Sequence, residues 1–291
     1  MLQWKGITAA MVLVGVSSLA QADLSTGAVA YYSFNADTQD ATGDNPGGTL
    51  INSAVISNTV YKIGNGAADV GALNGGGYTD RVDIAQPNAF NFGSGAFSTA
   101  FWFRVNAHQS GASPIGPGVA GGAGWYINVE SNGNWTLKYD TNTQVEQTIW
   151  LGDIWAWGAS TNTNWMFFAM SVDPTAGSVT TWVQKSQNAS LIKTVRSTVA
   201  VPGNAAATTG APIVFDGSVN NTNALRMGYN FNATMDEVVL WNRALTDAET
   251  AELYNGGAGM DLTSVIGIPE PATMSLLAIG AVAALIRRRR N

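Results

Sequence analysis

Apolar and polar positions alternate in short bursts along this chain, and helical periods are rare. Runs of period two, or of continuous β-type character, recur at Ala28 to Phe34, Arg81 to Ile84, Phe97 to Val105, Trp125 to Val129, Trp135 to Tyr139, Trp165 to Val172, Val179 to Gln184, Leu225 to Tyr229 and Met235 to Trp241. Turn-forming clusters separate them, among them Thr42-Gly43-Asp44-Asn45-Pro46-Gly47-Gly48, Asn74-Gly75-Gly76-Gly77 and Ser131-Asn132-Gly133-Asn134. Many short strands punctuated in this way predict an all-β fold, a two-sheet antiparallel sandwich or jelly roll, and not βαβ units. One short helix is expected near the end of the domain. Thr246-Asp247-Ala248-Glu249 has the form of a capping box, the run to Tyr254 is helix-compatible, and Gly256-Gly257 supplies the stop.

The two ends follow a different pattern. Lys5 precedes an apolar stretch from Ile7 to Leu19, which closes on Ala20-Gln21-Ala22 before Asp23; this is the layout of a secretory signal peptide over residues 1–22, with cleavage after Ala22. At the other end Pro269-Glu270-Pro271 precedes an apolar segment, 272–286, and then Arg287, Arg288, Arg289 and Arg290. As a hydrophobic helix that segment is roughly 22 Å long, short of the ~30 Å hydrocarbon core, so it suits a transient inner-membrane anchor. Clustered arginines and Lys5 both favour the cytoplasmic side, and everything between them is exported. Residues 23–261 are then one domain, 262–268 a linker and 269–291 a tail.

Composition narrows the chemistry. With no cysteine, the exported domain uses no disulfide, and thiolate catalysis is excluded. A net charge of −6 that already includes the tail arginines leaves no basic patch for nucleic acid.

Two resemblances enter here. Pro-Glu-Pro, a short hydrophobic helix and a terminal arginine cluster, in that order, resemble the PEP-CTERM sorting signal of Gram-negative bacteria, which implies an exosortase as partner and cutting near the tripeptide. The opening VAYYSFN (29–35) and the closing MDEVVLWNRALTDAETAELYNGG (235–257) resemble the laminin-G-like, concanavalin A-like jelly-roll domains of exported bacterial proteins. FSTAFWFRV at 97–105 and WMFFAMSVD at 165–173 fit the same pattern, so the likeness covers Leu24 to about Asp261. The chain departs from it in carrying Thr79, Asp80 and Arg81 before Val82, and in lacking Val-Asp-Gly after the strand at Val179 to Lys185.

Candidate chemistry is sparse. A glucanase on this sandwich needs a carboxylate pair, and no Glu-x-Asp-x-x-Glu string exists. Asp236 and Glu237 are adjacent in a strand, and simple alternation points them to opposite faces. His108 is the one histidine and stands in a loop without a G-x-S-x-G elbow, so neither a catalytic triad nor zinc is indicated. For Ca²⁺ the early loop offers Asp37, Asp40 and Asp44. The resemblance implies a structural cation shared between that loop and Asp236; the alternative is that these aspartates form Asx turns. For sugar, Trp150, Asp153, Trp155 and Trp157 form the densest aromatic and polar group, whereas Trp102, Trp165, Trp182 and Trp241 fall in strands and read as core.

The resulting expectation is an exported, non-catalytic surface or matrix protein that binds carbohydrate, an exopolysaccharide or surface glycan, or protein partners. The alternatives are a divergent polysaccharide hydrolase and a purely structural surface protein.

Overall fold

In the computed structural model the described residues are 23–71, 79–85, 89–107, 110–117, 124–131, 133–140, 146–153, 162–185, 190–197 and 224–266, with backbone alone at 140, 146, 147, 153 and 162. The signal segment, His108 and the sorting tail, including helix 272–286, lie outside them. Each expected run is a strand: β1 (Ala28–Tyr32), β5 (Arg81–Ile84), β6 (Phe97–Val105), β8 (Trp125–Val129), β9 (Asn134–Asp140), β11 (Asn162–Asp173), β12 (Ser178–Gln184), β14 (Leu225–Tyr229) and β15 (Ala233–Trp241). Six further strands carry weaker patterns: β2 (Thr49–Ile51), β3 (Val55–Ser57), β4 (Ala67–Asp69), β7 (Ser113–Gly116), β10 (Glu146–Asp153) and β13 (Ile192–Arg196). Three of these have only three residues, too few to show a period.

All pairings are antiparallel. One sheet runs β13-β12-β11-β6-β15-β4-β3, with β1 added on β15. Strand β15 serves two partners in succession: β4 along Thr234 and Met235, and β1 along Val238 to Trp241. The register against β6 slips between Asp236 and Val239. The opposing layer consists of β2-β5-β14-β7 and β10-β9-β8, joined by a bridge from Ala112 to Val129.

The main core lies between the layers. Phe101, Phe103, Phe168 and Met235 from the first sheet meet Trp135, Leu137, Ile149 and Met227 from the second. Trp135 stands at its centre, 5.2 Å from both Phe103 and Phe168. A second cluster covers the outer face of the first sheet, where Tyr31, Trp102, Phe167, Trp182 and Trp241 pack against Leu24, Leu253, Leu262 and Ile266. Helix α1 (Asp247–Tyr254) crosses this face, started by the capping box of Thr246 and Glu249 and ended by Asn255 in the left-handed region. Asp247 in its first turn accepts from the Trp182 indole at 2.9 Å.

Residues 262–268 were expected to be a linker. Over 262–266 they are instead part of the packed unit: Leu262 is 1 % and Ile266 4 % exposed, and a turn closed by Ile266 N–H on Leu262 O turns both inward. Among the described residues no helix is long and apolar enough to cross a membrane.

Candidate functional site

The helix and the closing segment occupy one outer face of the sandwich, so the candidate binding face is the outward side of the β5-β14-β7-β8-β9-β10 layer. Alternation decides what stands there. Val82, Ile84, Leu225, Met227, Ile127, Leu137 and Ile149 face the core, which turns Arg81, Asp83, Arg226, Asn128, Lys138 and Trp150 outward. Arg81 donates from Nε to Asp83 Oδ1 at 2.8 Å and from Nη1 to Thr79 O at 2.9 Å. Left-handed Gly228 interrupts the alternation before Tyr229. The Tyr229 ring lies 5.7 Å from the Arg81 guanidinium and 5.3 Å from that of Arg226. Lys138 pairs with Glu130 at 3.4 Å. Tyr126, Asn128 and Thr136 are buried although they point away from the core, whereas Arg81, Asp83, Arg226, Lys138 and Trp150 to either side of them are half-buried. Asn91, Phe92, Phe97, Trp125 and Tyr139 line a small cleft.

Of the expected aromatic platform, Trp150 is half-buried on β10, with the Arg196 guanidinium 4.4 Å over its ring and Arg196 Nε donating to its carbonyl at 3.3 Å. One face of that indole is therefore occupied. Asp153 ends β10 and only its backbone is described; Trp155 and Trp157 lie outside the described residues.

Alternation fails at the one adjacent carboxylate pair. The bulge in β15 places Asp236 and Glu237 together opposite one stretch of β6, and Glu237 takes φ 53°. Both side chains turn to the helix-covered face, contrary to the expectation of opposite faces. Asp236 Oδ2 accepts from the Lys62 and Ile63 N–H groups at 2.8 and 3.0 Å, and Glu237 Oε2 accepts from the Tyr31 hydroxyl. Asp261 Oδ1 lies 3.3 Å from that hydroxyl, which also accepts the Leu262 N–H at 3.2 Å. Burial pushes Asp236 up to about 7, against the downward pull of the Ile63 and Lys62 amides. Burial likewise pushes Glu237 up to about 9, opposed by the Tyr31 hydrogen bond and reinforced by the charges of Asp236 and Asp261. Among the described residues Asp236 Oδ1 and Glu237 Oε1 have no hydrogen-bond partner. At 0 % and 4 % exposure the pair is out of reach of a polymer chain.

Asp40, Asp44 and Asp236 are not brought together. Asp40 Oδ1 accepts from Tyr31 N and Thr42 N, and its Oδ2 from the Thr42 hydroxyl, Asn45 N and Asn45 Nδ2, at 2.6–3.1 Å. Asp37 accepts from Gln39 N in an Asx turn, and Asp44 is exposed. Among the described residues no group of three His, Cys, Asp or Glu could hold a metal ion. The three carboxylates that the resemblance implied for calcium are thus not gathered into one group among the described residues. The residues that alternation did make available, Arg81 and Arg226, were overlooked because each is a single charge within a four- or five-residue strand.

A family model described as the concanavalin A-like lectin/glucanases superfamily matches residues 74–251, and a model of the PEP-CTERM protein-sorting motif matches residues 267–290. No curated protein matches the chain. Among solved structures it is similar to the binding domain of botulinum neurotoxin DC in complex with SialylT (18 % identity, TM-score 0.53, 79 % of this chain and 52 % of that one). It is similar also to the botulinum neurotoxin serotype D binding domain (11 %, 0.54, 79 % and 52 %). A third is a structure of botulinum neurotoxin type C, whose cell entry is dependent upon interaction with two ganglioside molecules (16 %, 0.51, 80 % and 52 %). The chain spans about half the length of these structures, and at such identities the likeness establishes the fold alone.

Proposed function

Since the chain belongs to the concanavalin A-like lectin/glucanase superfamily and carries the PEP-CTERM motif of exported, exosortase-processed surface proteins, we propose that it is a non-catalytic glycan-binding protein of the cell surface or extracellular matrix. The observation that carries this reading is the polar and aromatic group on the outward side of the second layer, where Arg81, Asp83, Arg226 and Trp150 stand half-buried on strands whose alternate residues build the core, whereas the outer face of the first sheet is packed under α1 and the closing segment. Structural relatives described as complexed with SialylT or dependent on gangliosides add weight to a glycan as ligand.

The burial of Asp236 and Glu237 speaks for binding over hydrolysis. A glycosidase needs two carboxylates flanking the scissile bond, about 5–5.5 Å apart in retaining enzymes, and this pair is shielded by Tyr31, Leu262 and the helix end. The purified, processed protein should label defined oligosaccharides on a glycan array. An array on which nothing is labelled would favour a purely structural surface protein.

A further inference from the structure

The outward cations of the candidate binding face are not equivalent. Lys138 is paired with Glu130 and Arg81 with Asp83. Arg226 stands in register between Asp83 on β5 and Gly116 on β7. Its acidic neighbour is committed through Oδ1 to Arg81, and its other neighbour has no side chain. Among the described residues the Arg226 guanidinium has no ion-pair or hydrogen-bond partner, and its Nε is buried. The Tyr229 ring holds the guanidinium groups of Arg81 and Arg226 in one patch.

A guanidinium keeps its charge at any working pH and presents its donors as a planar fork. Half-buried without an acceptor, it is a cost to the free protein that a ligand carrying a planar pair of oxygens would remove. The general surface does not explain it, because the chain is acidic at −6. Asp83 Oδ2, which the Arg81 contact leaves open, is an acceptor for a hydroxyl in the same patch. A fixed fork for a carboxylate beside an acceptor for a hydroxyl matches one chemical class.

We propose that Arg226, flanked by Arg81, Asp83 and Tyr229, is the carboxylate subsite for an acidic sugar, a uronate residue within a polysaccharide. This rests on the glycan-binding reading and specifies its ligand. The test is titration of the exported, processed protein with polygalacturonate, its methyl ester, a neutral glucan and dextran sulfate. The acid form should bind at least about tenfold more tightly than its ester, as loss of a charge-assisted pair implies, and added salt should weaken that preference. Arg226→Gln should abolish the preference while its melting temperature stays level or rises, because an unpaired half-buried charge has been removed; Arg226→Lys should retain only part of it. Equal binding of acid and ester, or a well-folded Arg226→Gln that still prefers the acid, overturns the subsite and leaves glycan binding standing. Tighter binding of dextran sulfate overturns the carboxylate assignment. Failure to bind any of the four overturns the subsite and the wider reading together.

Discussion

At the scale of single residues the least ordinary choice is Glu237, a non-glycine residue at φ 53° in the middle of a strand. No glycine marks the bulge, so adjacency in a β-run could only be read as alternation, and the sharing of one face by Asp236 and Glu237 was not legible. Their surroundings set a pH dependence. Folding raises Asp236 from 3.8 to about 7 and Glu237 from 4.5 to about 9. Between those limits the folded protein holds protons that the unfolded chain has released. The stabilisation is therefore complete below the unfolded values and is lost as pH rises through about 7 and then about 9. A melting temperature followed from about pH 5 to about pH 9 should fall, and Glu237→Gln should flatten the upper part of the curve. A wild-type profile level across that range would contradict the assignment. Asp40 allows a second test. Its carboxylate accepts five hydrogen bonds, one of them from the buried Tyr31 N–H, so Asp40→Ala should cost about 1–3 kcal/mol through unpaired donors. Treatment with a chelator should leave the melting temperature unchanged, and a fall would show that a cation is held there.

At the scale of elements, patterns long enough to repeat were legible. FSTAFWFRV alternates over nine residues and is β6, and Thr246 to Glu249 has the side-chain chemistry of a cap and begins α1. Strands of three residues, such as β2 and β4, take their conformation from the partner they pair with and leave no period in the sequence. Strand β7 carries Pro114, which argues against a central strand; it ends the ladder β2-β5-β14-β7 and meets β8 beyond it through the bridge from Ala112 to Val129 rather than through a full ladder. The segment 262–266 was misread because five residues show neither helix nor strand period; the signal was the apolar trio Leu262, Val265 and Ile266 beside an open apolar face. Burying Leu262 and Ile266 contributes about 1.5–3 kcal/mol each. A chain cut after Asp261 should therefore unfold at a clearly lower temperature than one cut after Ile266. Equal melting temperatures would show that the segment only rests on the surface.

At the scale of the molecule, the chain enters and leaves the sandwich on the same side. Leu24 and Ile266 both belong to the cluster on the helix-covered face, so the first and last parts of the packed unit meet on the side opposite the layer that bears Arg81 and Arg226. The sorting motif at 267–290 begins immediately after Ile266. Intact mass of the native product from an exosortase-positive host should show that Arg287 to Arg290 have been removed, and a steady-state form that retains them would indicate a plain tail anchor. The most direct measurement is a calorimetric titration of the processed protein with the exopolysaccharide of its own host, with reducing ends counted in the same samples. Saturable binding without new reducing ends is the result the account predicts; release of reducing ends, or no binding heat at any concentration, would contradict it.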